Sequence, residues 1–204
     1  MIGLEELVEG VTLERLYYGA TKYMRVQSPN VKQMRVEAGE LMIRNIEYLK
    51  ALVWWGLKAV EVNGKVRSEK GKEVYSVRVM FLDVEISEEW SEYTPIKLMD
   101  GKTGEIFYTQ FMTPDVEVAV LCTCMDFACR WAWVLKKEGG LLGRARDCKR
   151  KLDVGGKPRK SQNVAGVQTV CKHLFAVFEW LAKKGMIADK LRAGVEIDLT
   201  DLNK

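Results

Sequence analysis

The only histidine of this chain, His173, follows a cysteine by two positions in Val170-Cys171-Lys172-His173-Leu174, and a second cysteine pair, Cys122-Thr123-Cys124, stands well upstream. Three thiolates and one imidazole, in two tight pairs joined by a long connection, form the ligand inventory of a structural zinc site. Cys122, Cys124, Cys171 and His173 are therefore the expected ligands of one Zn2+ ion. Such a site is closed. A metal with four protein ligands has no open position for water or substrate, so it holds a fold together rather than doing chemistry.

The same residues can be read as buried thiols and a core histidine, since cysteine is often buried and inert. Two coincidences favour the metal: both pairs have i, i+2 spacing, and the single histidine falls in one of them. Cys129, one turn into the helix expected after Cys124, reads as core, although it can stand in for one of the four. Cys148 reads as a free surface thiol. Five cysteines cannot all pair internally, and a reducing compartment favours thiolates that hold metal.

The elements that must position these ligands are legible in the pattern around them. Val116, Val118 and Val120 alternate with Glu117 and Ala119 toward Cys122 and Cys124, so the two thiols continue one face of a strand and lie close enough to share an ion. Asp126 is the expected N-cap of a helix over 127–138, with Phe127, Arg130, Trp131, Val134 and Leu135 at amphipathic spacing. Gly139-Gly140 ends it. A second helix starts at His173 and runs to Lys184, with Leu174, Phe175, Val177, Phe178 and Leu181 on its apolar face and Gly185 as its stop.

Further out, Tyr75, Val77, Val79 and Phe81 alternate with polar or flexible residues as a half-buried strand does, with residues 83–86 continuing or bulging it. Another strand is expected over 106–111, after a turn at Asp100-Gly101. The first sixty residues read mainly as helix: Leu4, Leu7 and Val8, then Leu13, Leu16 and Tyr17 behind a Thr12 cap, then residues 40–58 after a break at Pro29, with 31–36 a possible strand by composition. The expected class is α+β: a helical N-terminal region (1–60), then a zinc-binding domain (61–204) with an antiparallel β-sheet, a zinc-clipped strand-helix and helix unit, and a basic loop over 139–170. A tail from Gly194 alternates Val195, Ile197 and Leu199 with acidic residues, a pattern that suits an edge strand or docking onto a neighbouring chain.

The order Cys-x-Cys, long gap, Cys-x-His resembles the SWIM-type zinc finger, carried here by Cys122, Cys124, Cys171 and His173, with Cys124-Met125-Asp126-Phe127 and Cys171-Lys172-His173-Leu174 similar to that family's local contexts. The gap between the pairs is longer than in most members. The block from about Val74 to Gly185 also resembles a group of zinc-bearing virion structural proteins of tailed bacteriophages. That resemblance implies a small, non-enzymatic component of the head, neck or tail region, contacting portal, neck, tail or capsid subunits within a multi-subunit particle, made in the host cytoplasm and located in the virion. The N-terminal third has no counterpart in the resemblance.

Between Leu141 and Lys160 the chain carries Arg144, Arg146, Lys149, Arg150, Lys151, Lys157, Arg159 and Lys160 against only Asp147 and Asp153, more positive charge than its formal net of +4. These cations suit either packaged DNA phosphates or an acidic face of a protein partner. No aromatic residue interleaves them to stack on bases, which favours protein. Trp131 and Trp133 fall on different helix faces, so at least one must meet solvent or a partner.

Enzyme motifs are absent. Gly101-Lys102-Thr103 ends like a phosphate-binding loop, but Ile96 stands where the required first glycine belongs. With His173 committed to metal, no histidine is left for a nucleophilic triad. Glu88-Glu89 read as exposed loop charge. The longest apolar runs fall far short of the ~20 residues that cross a bilayer, and the N-terminus lacks the pattern of a secretion signal. No membrane partner is expected.

Overall fold

The computed structural model describes residues 10–17, 20, 35–50, 53–68, 72–82, 84–99, 103–145 and 170–188. Among the described residues, two antiparallel sheets and several helices make a mixed α+β architecture. The first sheet has the order β1-β2-β3-β7, from β1 (Arg35–Lys50), β2 (Val53–Arg67), β3 (Val74–Phe81) and β7 (Val118–Cys122). The second has the order β4-β6-β5, from β4 (Ile86–Ser87), β5 (Ile96–Met99) and β6 (Ile106–Thr109).

The helical reading of residues 40–58 is corrected. Residues 40–50 and 53–58 belong to two long antiparallel strands in which Leu41 pairs with Val62, Ile46 with Leu57 and Lys50 with Val53. The apolar spacing there also satisfies a helix, but Val60, Val62 and Val66 continue with period two and are fully buried. Pairing of the contiguous halves then decides for strand. At ~3.4 Å per residue the strand pair is about 50 Å long, and only Val60–Arg67 of β2 pairs with β3. The helical N-terminal region therefore reduces, among the described residues, to a stretch at 13–17 and 20. There Thr12 caps as expected, its hydroxyl accepting from the Arg15 N–H at 3.4 Å. The helix expected around Leu4, Leu7 and Val8, the break at Pro29, the Asp100-Gly101 turn and the tail from Gly194 lie outside the described residues.

The expected strands at 75–81, 106–111 and 116–122 appear as β3, β6 and β7. β3 ends at Phe81 rather than continuing, and Ile86–Ser87 joins the other sheet against β6. β5 carried no sequence signal strong enough to be recognised. The helix over 127–138 is two short helices, α1 (Met125–Arg130) and α2 (Ala132–Lys137), joined at Trp131. Lys172–Lys183 forms α3, whose Leu174, Phe175, Val177, Phe178 and Leu181 are all buried as the spacing predicts. It ends at Gly185 (φ +73°), where the Gly185 and Met186 N–H groups donate to Ala182 and Leu181 carbonyls at 3.1 and 3.0 Å, a left-handed helix stop that glycine adopts without strain.

β7 is held on both edges. One edge pairs with β3 from Val77↔Cys122 to Phe81↔Val118. Along the other, the Val118 N–H donates to the Val11 carbonyl at 2.7 Å and the Val120 N–H to the Gly140 carbonyl at 2.9 Å. Residues 10–13 and 140–142 thus seal a strand that would otherwise expose unpaired backbone groups. α3 packs against this sheet, and Tyr17 stacks on Phe175 with ring centroids 5.7 Å apart. Val11, Leu13, Leu16, Val79, Val120, Phe127, Trp131, Leu174 and Phe178 share one core. Within it Glu61, on β2, is fully buried and paired with Arg78 of β3 at 2.7 Å. Among the described residues no helix is long and apolar enough to cross a membrane.

Candidate metal centre

The two ligand pairs arrive at one place because two elements end or begin there. Cys122 is the last residue of β7. Cys124 stays extended (φ −73°, ψ 150°) before α1 begins, so the two side chains project together while Thr123 between them points to solvent. Cys171, likewise extended (φ −72°, ψ 162°), caps α3, and His173 lies in its first turn. Strand β3, to which β7 is paired, supplies Tyr75, whose ring lies 4.3 Å from the imidazole at 39°.

The ligand atoms of Cys122, Cys124, Cys171 and His173 all lie within 4.8 Å of one another, and all four residues are buried. A tetrahedral zinc with S ligands at ~2.3 Å and N at ~2.0–2.1 Å places neighbouring donors about 3.5–3.8 Å apart. Cys122 Sγ and His173 Nδ1 stand 3.9 Å apart, so the cluster needs only small adjustments to close on an ion. It is Nδ1 that faces the thiols. Nε2 has no hydrogen-bond partner among the described residues, where a metal-bound histidine usually has a carboxylate, carbonyl or water. Here the Tyr75 ring, not a polar partner, packs against the imidazole.

Local hydrogen bonds favour sulfur in its anionic form. The Phe127 N–H donates to Cys124 Sγ at 3.2 Å, and the Cys124 N–H to Cys122 Sγ at 3.5 Å. Cys124 is therefore the N-cap of α1, correcting the assignment to Asp126, which instead pairs with Arg130 at 3.0 Å. Three adjacent buried thiols cannot all ionise unaided. Their mutual hydrogen bond pushes the Cys122 thiol up and holds the Cys124 thiol well below the ordinary range, and burial pushes Cys171 up. Nearby, the hydrogen bond from Tyr75 to Glu73 pushes the Tyr75 phenol up to about 12. A divalent cation would relieve the crowded negative charge by binding all three sulfurs as thiolates. The donor set can hold a metal ion.

Cys129 is half-buried on α1 and disulfide-bonded, so it is neither a free core thiol nor a substitute ligand. Of the basic residues, Arg144 is described; Arg146, Lys149, Arg150, Lys151, Lys157, Arg159 and Lys160 lie outside the described residues, as does Cys148. Trp131 is buried at 1% exposure whereas Trp133 is 66% exposed, with Lys137 Nζ 4.3 Å from its ring centroid. The opposite-face reading of the two tryptophans therefore holds. Glu88 and Glu89 are exposed, as expected. Set beside known proteins, the chain matches no family model, no curated protein and no solved structure.

Proposed function

We propose that Cys122, Cys124, Cys171 and His173 hold one structural Zn2+ ion, and that this chain is a non-enzymatic component of a larger protein assembly. The observation that carries the metal reading is the convergence of four buried donors within 4.8 Å. Three soft thiolates and one imidazole suit zinc in a tetrahedral site better than oxygen-seeking cations. With all four positions filled by protein, the ion contributes stability: it ties the end of β7 to the start of α3.

The assembly reading rests on the sequence resemblance of residues 74–185 to zinc-bearing virion structural proteins and on exposed aromatic side chains suited to contacts between subunits. In this reading the chain is made in the host cytoplasm, contacts portal, neck, tail or capsid subunits, and resides in the particle. Elemental analysis of purified, reduced protein should find one zinc per chain, and cobalt substitution should give the visible band of a tetrahedral sulfur-rich site. Absence of stoichiometric metal would end the zinc reading; absence of the chain from purified particles would end the virion reading.

The basic run from Arg144 to Lys160 favours a second reading, a SWIM-type nucleic-acid-binding module acting in the cell. That reading requires binding to free duplex DNA that weakens steeply between 50 and 200 mM salt, on the scale of 10³-fold or more if six or more phosphates are contacted.

A further inference from the structure

The chain is electrically lopsided. Residues 83–92 hold five carboxylates and no lysine or arginine, whereas residues 141–160 hold eight lysines and arginines against two aspartates. The acidic stretch also leads into two of the exposed large aromatics: Trp90 is 63% and Tyr93 74% exposed.

This turn is built rather than loose. Thr94 is buried, and its N–H donates to the Ser91 carbonyl at 3.2 Å and to Ser91 Oγ at 3.1 Å. The two hydroxyls lie 2.7 Å apart, and the Glu89 N–H donates to Ser87 Oγ at 3.0 Å. Trp90, Glu92 and Tyr93 are thus displayed by a fixed backbone, and a partner docking there would not first have to order it. Among the described residues no cation pairs with Glu88, Glu89 or Glu92, and none lies over the Trp90 or Tyr93 ring. Aromatic faces flanked by free carboxylates suit lysine and arginine side chains, which stack on the rings while pairing with the acids. The chain already makes one such stack, Lys137 over Trp133.

We propose that the turn at 88–93 is a docking site for the basic segment 144–160 of a second copy of this chain. The charges are complementary in sign, three carboxylates in the turn against eight lysines and arginines and two aspartates in the segment. Seven of the eight cations fall within residues 146–160. A surface and its complement on one chain make a head-to-tail contact, which repeats from copy to copy until it closes a ring or extends a filament. The inference rests on the assembly reading above; zinc content, measured on the same samples, reports on the metal half of that reading separately.

The experiment is sedimentation velocity of the full chain from micromolar to millimolar concentration. Wild type should associate at 50 mM salt, with an apparent Kd at least about tenfold weaker at 300 mM because exposed charges are screened. A turn variant (Trp90→Ala, Tyr93→Ala, Glu92→Lys) and a segment variant (Lys149→Glu, Arg150→Glu, Lys151→Glu) should each stay monomeric with zinc content unchanged. Mixed one to one, they should form a heterodimer and stop, since the mixture retains one intact turn and one intact segment. A monomeric wild type, variants that associate like wild type, or a mixture that stays monomeric would each overturn the proposal.

Discussion

Thr123 is a built-in control for the cysteines that flank it. Its side chain is exposed, and its hydroxyl accepts from the Ser76 N–H at 3.0 Å rather than facing the metal pocket. Thr123→Ala should therefore leave zinc content at wild-type stoichiometry, whereas Cys171→Ser, at a fully buried ligand, should lower it and cost several kcal/mol in denaturant unfolding. That loss should stay below the ~10–16 kcal/mol that zinc contributes where it alone folds a peptide, because Leu174, Phe178 and Trp131 still form a core. These ligands were legible because i, i+2 spacing is a local property of an extended chain. Which imidazole nitrogen faces the thiols was not. The ring's orientation depends on Tyr75 of β3, a neighbour distant in sequence.

Gly140, just past α2, tests how the elements lock together. A Cβ there would meet Val11 Cγ2 at 2.7 Å and Val11 Cβ at 2.8 Å, on the segment that seals β7. Gly140→Ala should destabilise by about 1–3 kcal/mol, as forced overpacking does. At Gly10 the three atoms nearest an added Cβ all belong to the carboxylate of Glu117, the end of a side chain that can swing away, so Gly10→Ala should stay within about 0.5 kcal/mol of wild type by thermal denaturation. Among the elements, β3, β7 and α3 were readable because their burial period is local and clear. The β1–β2 pair was not. Leu41, Ile46, Leu49 and Leu52 also fit a helix, and only the return pairing of 53–67 on 35–50 decides. The break at Trp131 was equally silent, since its spacing continues the helical stripe while its indole is pulled into the core.

Across the whole molecule, the metal centre joins parts that the apolar core also joins. Chelation should therefore be graded: amide exchange protection should fall first at 122–137 and 172–183 and persist in the β2–β3 pairing, read by exchange mass spectrometry with and without EDTA. Global collapse on chelation would mean that the core contributes less than its burial suggests. The sequence located the centre but not the extent of the sheet around it, because long-range pairing leaves no local signature. Both ligand pairs sit at the tips of regular elements, and the run after Cys148 supplies none of the four donors, so a change in its length reaches the site chiefly through closure entropy. Closure entropy grows only as the logarithm of that length, about 0.6 kcal/mol per doubling. Replacing 149–169, which leaves every cysteine in place, by a glycine-serine run half as long should accordingly alter zinc affinity by no more than about threefold, measured by competition with a chromogenic chelator. The run from 149 to 169 is in that sense an exchangeable cassette for the metal clasp, free to vary in size while the four donors that close it stay the same.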